Sequence, residues 1–417
     1  MFLLLIGLAD MAPAQDTLTL FQCHQRAIEN APRLKDREVI MESGALKAEM
    51  AGTSWLPSLD FNGKFSYQSD VVTITLADPG IPVEFPEVPK DQFGLNLDLT
   101  QTIYDGGITR QKKTYEQAAT AAALQQVEVD LYTLKNRVNH YYFSILMLQE
   151  QRKNFQIHQE NLTQRRAVME AAVEEGTLLE EELKVIDVEI LKIKQSINEI
   201  ETRKLSLIRV LDLLCGGGVG PASELKKPHL EVMMKAEGAR PEYRLFELKD
   251  ASMEASKELI GKKRMPVLYA FGQTGYGKPG YNMLNGEWDF YYMVGAGLRW
   301  KIWDWNSSTR EKQVIENQQQ MLRNQQEEFT RELETLKVQE LARMSQFRQS
   351  ISYEKEVLEL QQQISGSAAA KLENGTITAT EYITEINKEN LARISMETHR
   401  VQLLQAMANY LTIQGTL

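Results

Sequence analysis

Apolar and polar residues alternate along Ser58 to Gln68. Leu59, Phe61, Phe65 and Tyr67 fall on one face, and Ser58, Asp60, Asn62, Lys64, Ser66 and Gln68 on the other. Gln92 to Thr100 repeats the pattern, with Phe93, Leu95, Leu97 and Leu99 against Asn96, Asp98 and Thr100. Further on, Tyr292, Val294, Ala296, Leu298 and Trp300 oppose Gly295, Gly297, Arg299 and Lys301. A period of two marks a strand with unlike faces. It predicts strands over 56–68, 92–104 and 290–303. A fourth strand, 266–276, lacks clean alternation, and its faces stay unassigned. Such a sheet is either half-buried in a soluble protein or a wall with lipid outside and water inside. On periodicity alone the soluble sheet is the better reading.

Between the strands the period changes to three and four. Val127, Leu131, Leu134, Val138, Tyr141, Ile145 and Leu148 form one stripe, continued by Phe155, Leu162, Met169 and Val173. After a break, Leu183, Ile186, Ile190, Ile193, Ile197 and Ile200 resume it, followed by Leu207, Leu211 and Leu214. These are heptad seams, and helices carrying them pair as coiled coils. A helix from about Thr109 to Glu175 is on the order of 100 Å long at 1.5 Å per residue, too long for a compact globule. The matching helix later in the chain is rich in Gln and Glu, and its seam of Phe329, Leu333, Leu336, Phe347, Val357 and Ile364 is weaker. Its polar face is either plainly solvated or lines water inside a tube.

The pattern occurs twice. Pro32 and Pro241 lie 209 positions apart, as do Pro57 and Pro266. Asp105 and Asp304 lie 199 apart, as do Gly176 and Gly375. The first copy is therefore 10 residues longer between its proline and its Tyr-Asp motif, and insertions of that kind sit in loops. The copies are expected over 16–215 and 238–417, joined by a glycine-rich linker over 216–237. Each reads helix, strand, loop, strand, long helix, break, helix. The long helices are expected over 107–175 and 307–373, and the helices after the breaks over 179–214 and 378–413.

Composition narrows the chemistry. The net charge of −10 argues against nucleic acid as a partner. The longest strongly apolar run, Phe2 to Ala9, is far short of the ~20 residues a spanning helix needs. With Ala12-Pro13-Ala14 behind it, residues 1–15 read as a signal-peptide remnant whose basic start is missing. Cys23 lacks the small-residue context of a lipoprotein site, and with Cys215 makes no disulfide framework. The five histidines show no ligand spacing, so neither a metal nor another cofactor is expected. Gly272–Lys278 matches a phosphate-loop pattern, and Gly275–Gly280 a dinucleotide one. Pro279 occupies the place of the magnesium-binding Ser or Thr, and no helix follows, so a glycine-rich hairpin end is the better reading. No carboxylate pair or nucleophile–base set passes the same test, and the chain is not expected to be an enzyme.

In order and duplication these motifs resemble the TolC-like outer-membrane efflux proteins. Leu18-Thr19-Leu20 through Asn30-Ala31-Pro32 resembles that family's opening helix. Leu56-Pro57-Ser58-Leu59 and Met265-Pro266-Val267-Leu268 resemble its strand-leading prolines, and Ile103-Tyr104-Asp105-Gly106-Gly107 its strand-to-helix turn. Gly176-Thr177-Leu178 and Gly375-Thr376-Ile377 resemble its helix–helix tips. The second copy departs at Trp303-Asp304-Trp305-Asn306, where the paired glycines are absent.

The resemblance implies a mostly α-helical homotrimer in the outer membrane of a Gram-negative bacterium. Its strands would share a twelve-stranded transmembrane β-barrel, and its helices would form a periplasmic tunnel. The closed barrel has independent support: four strands per chain cannot close, because the smallest membrane barrels have about 8. Implied partners are a periplasmic adaptor, an inner-membrane pump or ABC transporter, and outer-membrane lipid, with drugs or other small molecules as cargo. The alternatives are a type I polypeptide secretion duct, which differs in partners, and a soluble coiled-coil scaffold. Leu59, Phe61, Phe65, Leu95, Leu97, Leu99, Leu298 and Trp300 would face lipid. Gly176, Thr177, Leu178, Gly375, Thr376 and Ile377 would dock the adaptor. Counting from Gly375, Glu381 matches an acidic gate position, Thr384 stands where a second acid is expected, and Glu385 is adjacent.

Overall fold

A computed structural model describes residues 17–72, 88–232, 238–283 and 286–417 of the 417-residue chain. The expected signal remnant lies outside the described residues, as do Leu284 and Asn285. The first copy contains β1 (Thr17–Leu18), α1 (Leu20–Glu29), α2 (Asp36–Gly52), β2 (Ser58–Tyr67), β3 (Asp91–Tyr104), α3 (Ile108–Glu174) and α4 (Glu180–Cys215). Then come β4 (Glu224–Leu225), α5 (Pro241–Lys262), β5 (Val267–Lys278), β6 (Asp289–Arg299), α6 (Ser307–Glu373) and α7 (Ala379–Gln414). The protein is mostly helical with an antiparallel sheet. No described helix is long and apolar enough to cross a membrane. Two compact units cut across the two sequence copies.

One unit comprises Glu38–Gln125 and Arg244–Gln325 and holds the four-stranded sheet, in the order β2-β3-β5-β6. All its pairings are antiparallel. Leu59 faces Leu99, Leu97 faces Thr274, and Gly272 faces Val294. Directly paired residues point to the same side of a sheet. The register therefore settles the faces of β5 that alternation left open. Leu268, Ala270, Gly272, Thr274 and Tyr276 join the row of leucines, while Tyr269 and Phe271 turn to the polar side. There the two rings pair with Gly297 and Gly295, and Tyr291 pairs with Gly275. A Cβ on any of these three glycines would come within 2.5–2.6 Å of the facing ring. Glycine leaves room for each ring to lie across the neighbouring strand. The phosphate-loop look-alike Gly272–Lys278 is part of strand β5.

Both strand-to-helix turns have one geometry. Gly106 and Gly107 have φ of +68° and +86°, and Trp305 and Asn306, 199 positions later, have +53° and +59°. Asp105 caps the first turn by accepting from the Gly107 N–H at 2.8 Å and the Thr109 N–H at 2.7 Å. Asp304 accepts from the Ser308 N–H at 3.1 Å. The missing glycines therefore change the strain of the turn and not its path, since a side chain in the left-handed region costs about 1–2 kcal/mol.

The other unit comprises residues up to Arg37, Gln126–Tyr243 and Gln326–Leu417. In it β1 and β4 pair in parallel, Leu18 opposite Leu225. The Tyr142 hydroxyl donates to the Lys226 carbonyl at 2.6 Å and lies 3.0 Å from that of Leu18. This small sheet lies on a core of Val138, Tyr142, Phe143, Leu146, Ile208 and Leu211. Val127, Leu131, Val138, Ile145, Leu162 and Met169 of the first seam are buried, as are Ile186, Ile190, Ile193 and Ile200 of the second. On α6 the buried stripe differs from the expected one. Leu333 is buried as expected, but Val357 and Ile364 are exposed, and Glu340, Met344, Leu358, Ser365 and Leu372 are buried instead. The step from 358 to 365 to 372 is a heptad, but polar residues occupy part of it, so a search for apolar spacing lands one position off.

Candidate functional site: helix tips and an uncovered sheet face

At the tips the helices stop for a local reason. Gly176 has φ +75° and Gly375 +66°. The Thr177 N–H donates to the Ala172 carbonyl at 2.9 Å, and the Thr376 N–H to that of Lys371 at 2.9 Å. Both threonine hydroxyls return to the same carbonyls, again at 2.9 Å. This is the Schellman closure, in which only a left-handed residue lets the chain reverse and satisfy the last carbonyls of the helix. Among the described residues nothing lies within 4 Å of a Cβ built on either glycine, so both tips are sterically open there.

The six tip residues are not alike. Gly176, Thr177, Gly375 and Thr376 are exposed. Leu178 and Ile377 are half-buried and pack on a core shared by α3, α4, α6 and α7, with Leu162, Ile186, Leu372, Tyr382 and Ile386 in it. Their side chains hold the tips together more than they offer a contact. Arg165 links the two hairpins, pairing with Glu373 and lying 5.6 Å from the Tyr382 ring centre.

Beyond the second tip, Thr378 and Glu381 form a capping box. Glu381 Oε2 accepts from the Thr378 N–H at 2.8 Å, and Thr378 Oγ1 accepts from the Glu381 N–H at 3.2 Å. The backbone N–H of Thr378 holds the Glu381 carboxyl below its ordinary range. Thr384 Oγ1 donates to the Thr380 carbonyl at 2.8 Å, and Glu385 pairs with Lys388 at 2.8 Å. Glu381, Thr384 and Glu385 line one groove of about 600 Å³ between α6 and α7, with Gln363, Ser367 and Lys371 opposite. The three expected gate residues are thus brought together, and the first already has a structural task.

The sequence reading missed Glu182. Its Oε2 accepts the backbone N–H of Ala379 at 2.6 Å. The repeat held the clue, because the 199-residue offset that pairs Gly176 with Gly375 also pairs Glu182 with Glu381. The first-copy counterpart of Thr378 is Leu179, which cannot cap, and α4 has no side-chain cap at its start. It also missed Asn387, which lies 3.0 Å from His158 Nε2 and donates to Glu189 at 2.9 Å, tying α7 to α3 and α4. Single polar residues inside a heptad carry no periodic signal.

On the sheet, the expected lipid-facing residues Leu59, Phe61, Phe65, Leu95, Leu97 and Leu99 form one row with Phe93, Val294 and Leu298. Their exposures run from 37% at Phe93 to 79% at Val294, so nothing among the described residues covers this face. Trp300 lies one residue beyond β6, where its indole N–H donates to the Arg264 carbonyl at 3.2 Å. It therefore stands outside the strand row. The opposite face carries a polar chain. Asp98 accepts from Asn62 at 2.7 Å and Gln273 at 2.6 Å, and the Tyr291 hydroxyl donates to Asn96 at 2.5 Å. Among the described residues, β2 and β6 each pair on one side only.

A duplicated unit of long paired helices and a two-sided sheet defines a class, and comparison supplies its name. Residues 23–202 match the family model described as outer membrane efflux protein. No curated relative matches the chain. Solved channels share its fold at low sequence identity. VceC of Vibrio cholerae is 11% identical, with a TM-score of 0.65 over 95% of this chain and 96% of that one. CmeC of Campylobacter jejuni is 14% identical, with a TM-score of 0.65 over 95% and 85%. The open state of MtrE of Neisseria gonorrhoeae is 13% identical, with a TM-score of 0.64 over 95% and 88%. The family match covers residues 23–202, and across both copies the chain shares the fold of these channels. The matched family model is described as an outer membrane efflux protein, and CmeC and MtrE are outer membrane channels.

Proposed function

We propose that the chain is one protomer of a passive export duct for drugs or other small molecules, the outer-membrane component of a tripartite system. Three copies would close a shared twelve-stranded barrel and line a helical tunnel in the periplasm. The observation that carries this reading is an apolar face that no described residue covers, on a sheet whose outer strands each have one edge free among the described residues. An apolar face of that kind is stable against lipid, and free edges are tolerated in lipid only if neighbouring copies pair with them. The polar face, with Asn62, Asn96 and Asp98, would then line water. The tips at Gly176–Leu178 and Gly375–Ile377 would dock a periplasmic adaptor, and through it an inner-membrane pump or ABC transporter.

The test is fractionation followed by planar-bilayer recording. The protein is expected in detergent extracts of the outer membrane as a trimer that conducts ions. Recovery as a soluble monomer without detergent would leave a coiled-coil scaffold as the better reading.

A further inference from the structure

Cys23 on α1 and Cys215 at the end of α4 are the chain's two cysteines, and both are fully buried at 0% exposure. They are 192 residues apart in sequence, yet the Cys215 sulfur lies 3.7 Å from the Cys23 carbonyl oxygen, and the two thiols hydrogen-bond each other. The two helices touch at this point. The Asn30 amide donates to the Cys215 carbonyl at 3.0 Å, and a Cβ on Gly216 would sit 2.2 Å from that of Asn30. Leu20, Ala27 and Leu211 pack around the pair in one core. Neither thiol faces the tips or the groove at Glu381, and the transport reading gives neither a task.

Two thiols in contact are inert filling in a reducing compartment and a cross-link in an oxidising one. We propose that Cys23 and Cys215 form a disulfide in the mature protein, fastening the opening helix to the end of α4. The proposal rests on the outer-membrane reading, since it needs periplasmic exposure during folding. Before the core closes, the Cys215 thiolate attacks a disulfide of a thiol–disulfide oxidant. A mixed disulfide forms and one oxidant thiolate leaves. The Cys23 sulfur then attacks Cys215, expelling the second oxidant thiolate. The two cysteine protons end on the reduced oxidant. The two cysteines can exchange these roles, because neither is buried before the core closes.

The test counts thiols in the full chain. Protein from outer membranes is denatured in acid, blocked with N-ethylmaleimide, reduced, and labelled with a polyethylene-glycol maleimide. The expected result is a gel shift of two adducts that appears only after reduction, with a Cys23–Cys215 linked peptide in the unreduced digest. Blocking of both thiols before reduction would overturn the proposal. Purified protein refolded in oxidised glutathione is read in the same way. This second arm decides the question even if the chain is not recovered in the outer membrane, a result that would instead sink the location. A C23S variant should give no adduct with or without reduction, because its one free thiol is blocked first, and a linked form in that variant would also count against the pairing.

Discussion

Glu182, the third residue of α4, accepts the backbone N–H of Ala379, the first residue of α7, at 2.6 Å. Each helix start leaves four amides unpaired, and here a carboxylate from one copy of the repeat caps a helix of the other. Glu182→Ala should lower stability by about 1 kcal/mol, the usual loss for a helix cap. Glu182→Gln should cost less, because it keeps an acceptor. Hydrogen exchange at the Ala379 amide is the direct check. Unchanged protection in Glu182→Ala would mean the contact has no energetic weight.

Glu381 offers a second test at the same tip, because its carboxylate both closes a capping box and lines the groove with Thr384 and Glu385. If symmetry brings three copies of Glu381 toward one axis, Glu381→Ala should raise the closed-state current or weaken cation selectivity and multivalent-cation block. Thr378→Ala removes the cap but keeps the carboxylate, and should leave conductance unaltered. Equal changes in both variants would assign the effect to the cap. No change in either would leave Glu381 as a structural residue.

Leu97 and Asp98 are neighbours on β3 with opposite fates. Leu97 lies in the uncovered row, while Asp98 holds Asn62 and Gln273 across the polar face. Leu97→Arg should block assembly into the membrane, since a basic charge at mid-bilayer on a lipid face costs about 2–4 kcal/mol. Asp98→Asn keeps an acceptor and should be mild. The measurement is the yield of trimer in outer-membrane extracts, and equal tolerance at both positions would count against a barrel.

His24 is buried, with Nε2 2.8 Å from the Asn139 side-chain oxygen, and Asn139 donates onward to Thr412 at 3.0 Å. Burial lowers its pKa from 6.5 to about 4, outweighing the hydrogen bond to Asn139. The unfolded chain therefore binds a proton between these two pH values that the folded chain does not. Stability from this site is fully present above pH 6.5 and is lost as pH falls towards 4, by roughly 3 kcal/mol. Chemical denaturation at pH 7 and pH 4.5 should show the loss. His24→Gln should flatten the profile in that window, and an unchanged slope would remove His24 from the account.

Short-range patterning was legible in the amino-acid sequence. The heptads of α3 and α4 gave two paired helices, alternation gave three of the four strands, and the constant offsets exposed the duplication. Gly176 and Gly375 marked the tips because a chain reversing after a helix needs a left-handed residue. These features are local, and one stretch of sequence contains all their causes. The faces of β5 were not legible, because Gly272 and Thr274 on the apolar row look no more apolar than Tyr269 and Phe271 on the polar one. Only pairing with β3 and β6 assigns them, and only the rings lying over Gly295 and Gly297 explain why aromatics belong on that side. The Glu182–Ala379 cap, the polar members of the α6 seam and the meeting of Cys23 with Cys215 likewise depend on which helices lie side by side. Partners of that kind are separated by scores of residues, so no local pattern encodes them, and packing in three dimensions decides them.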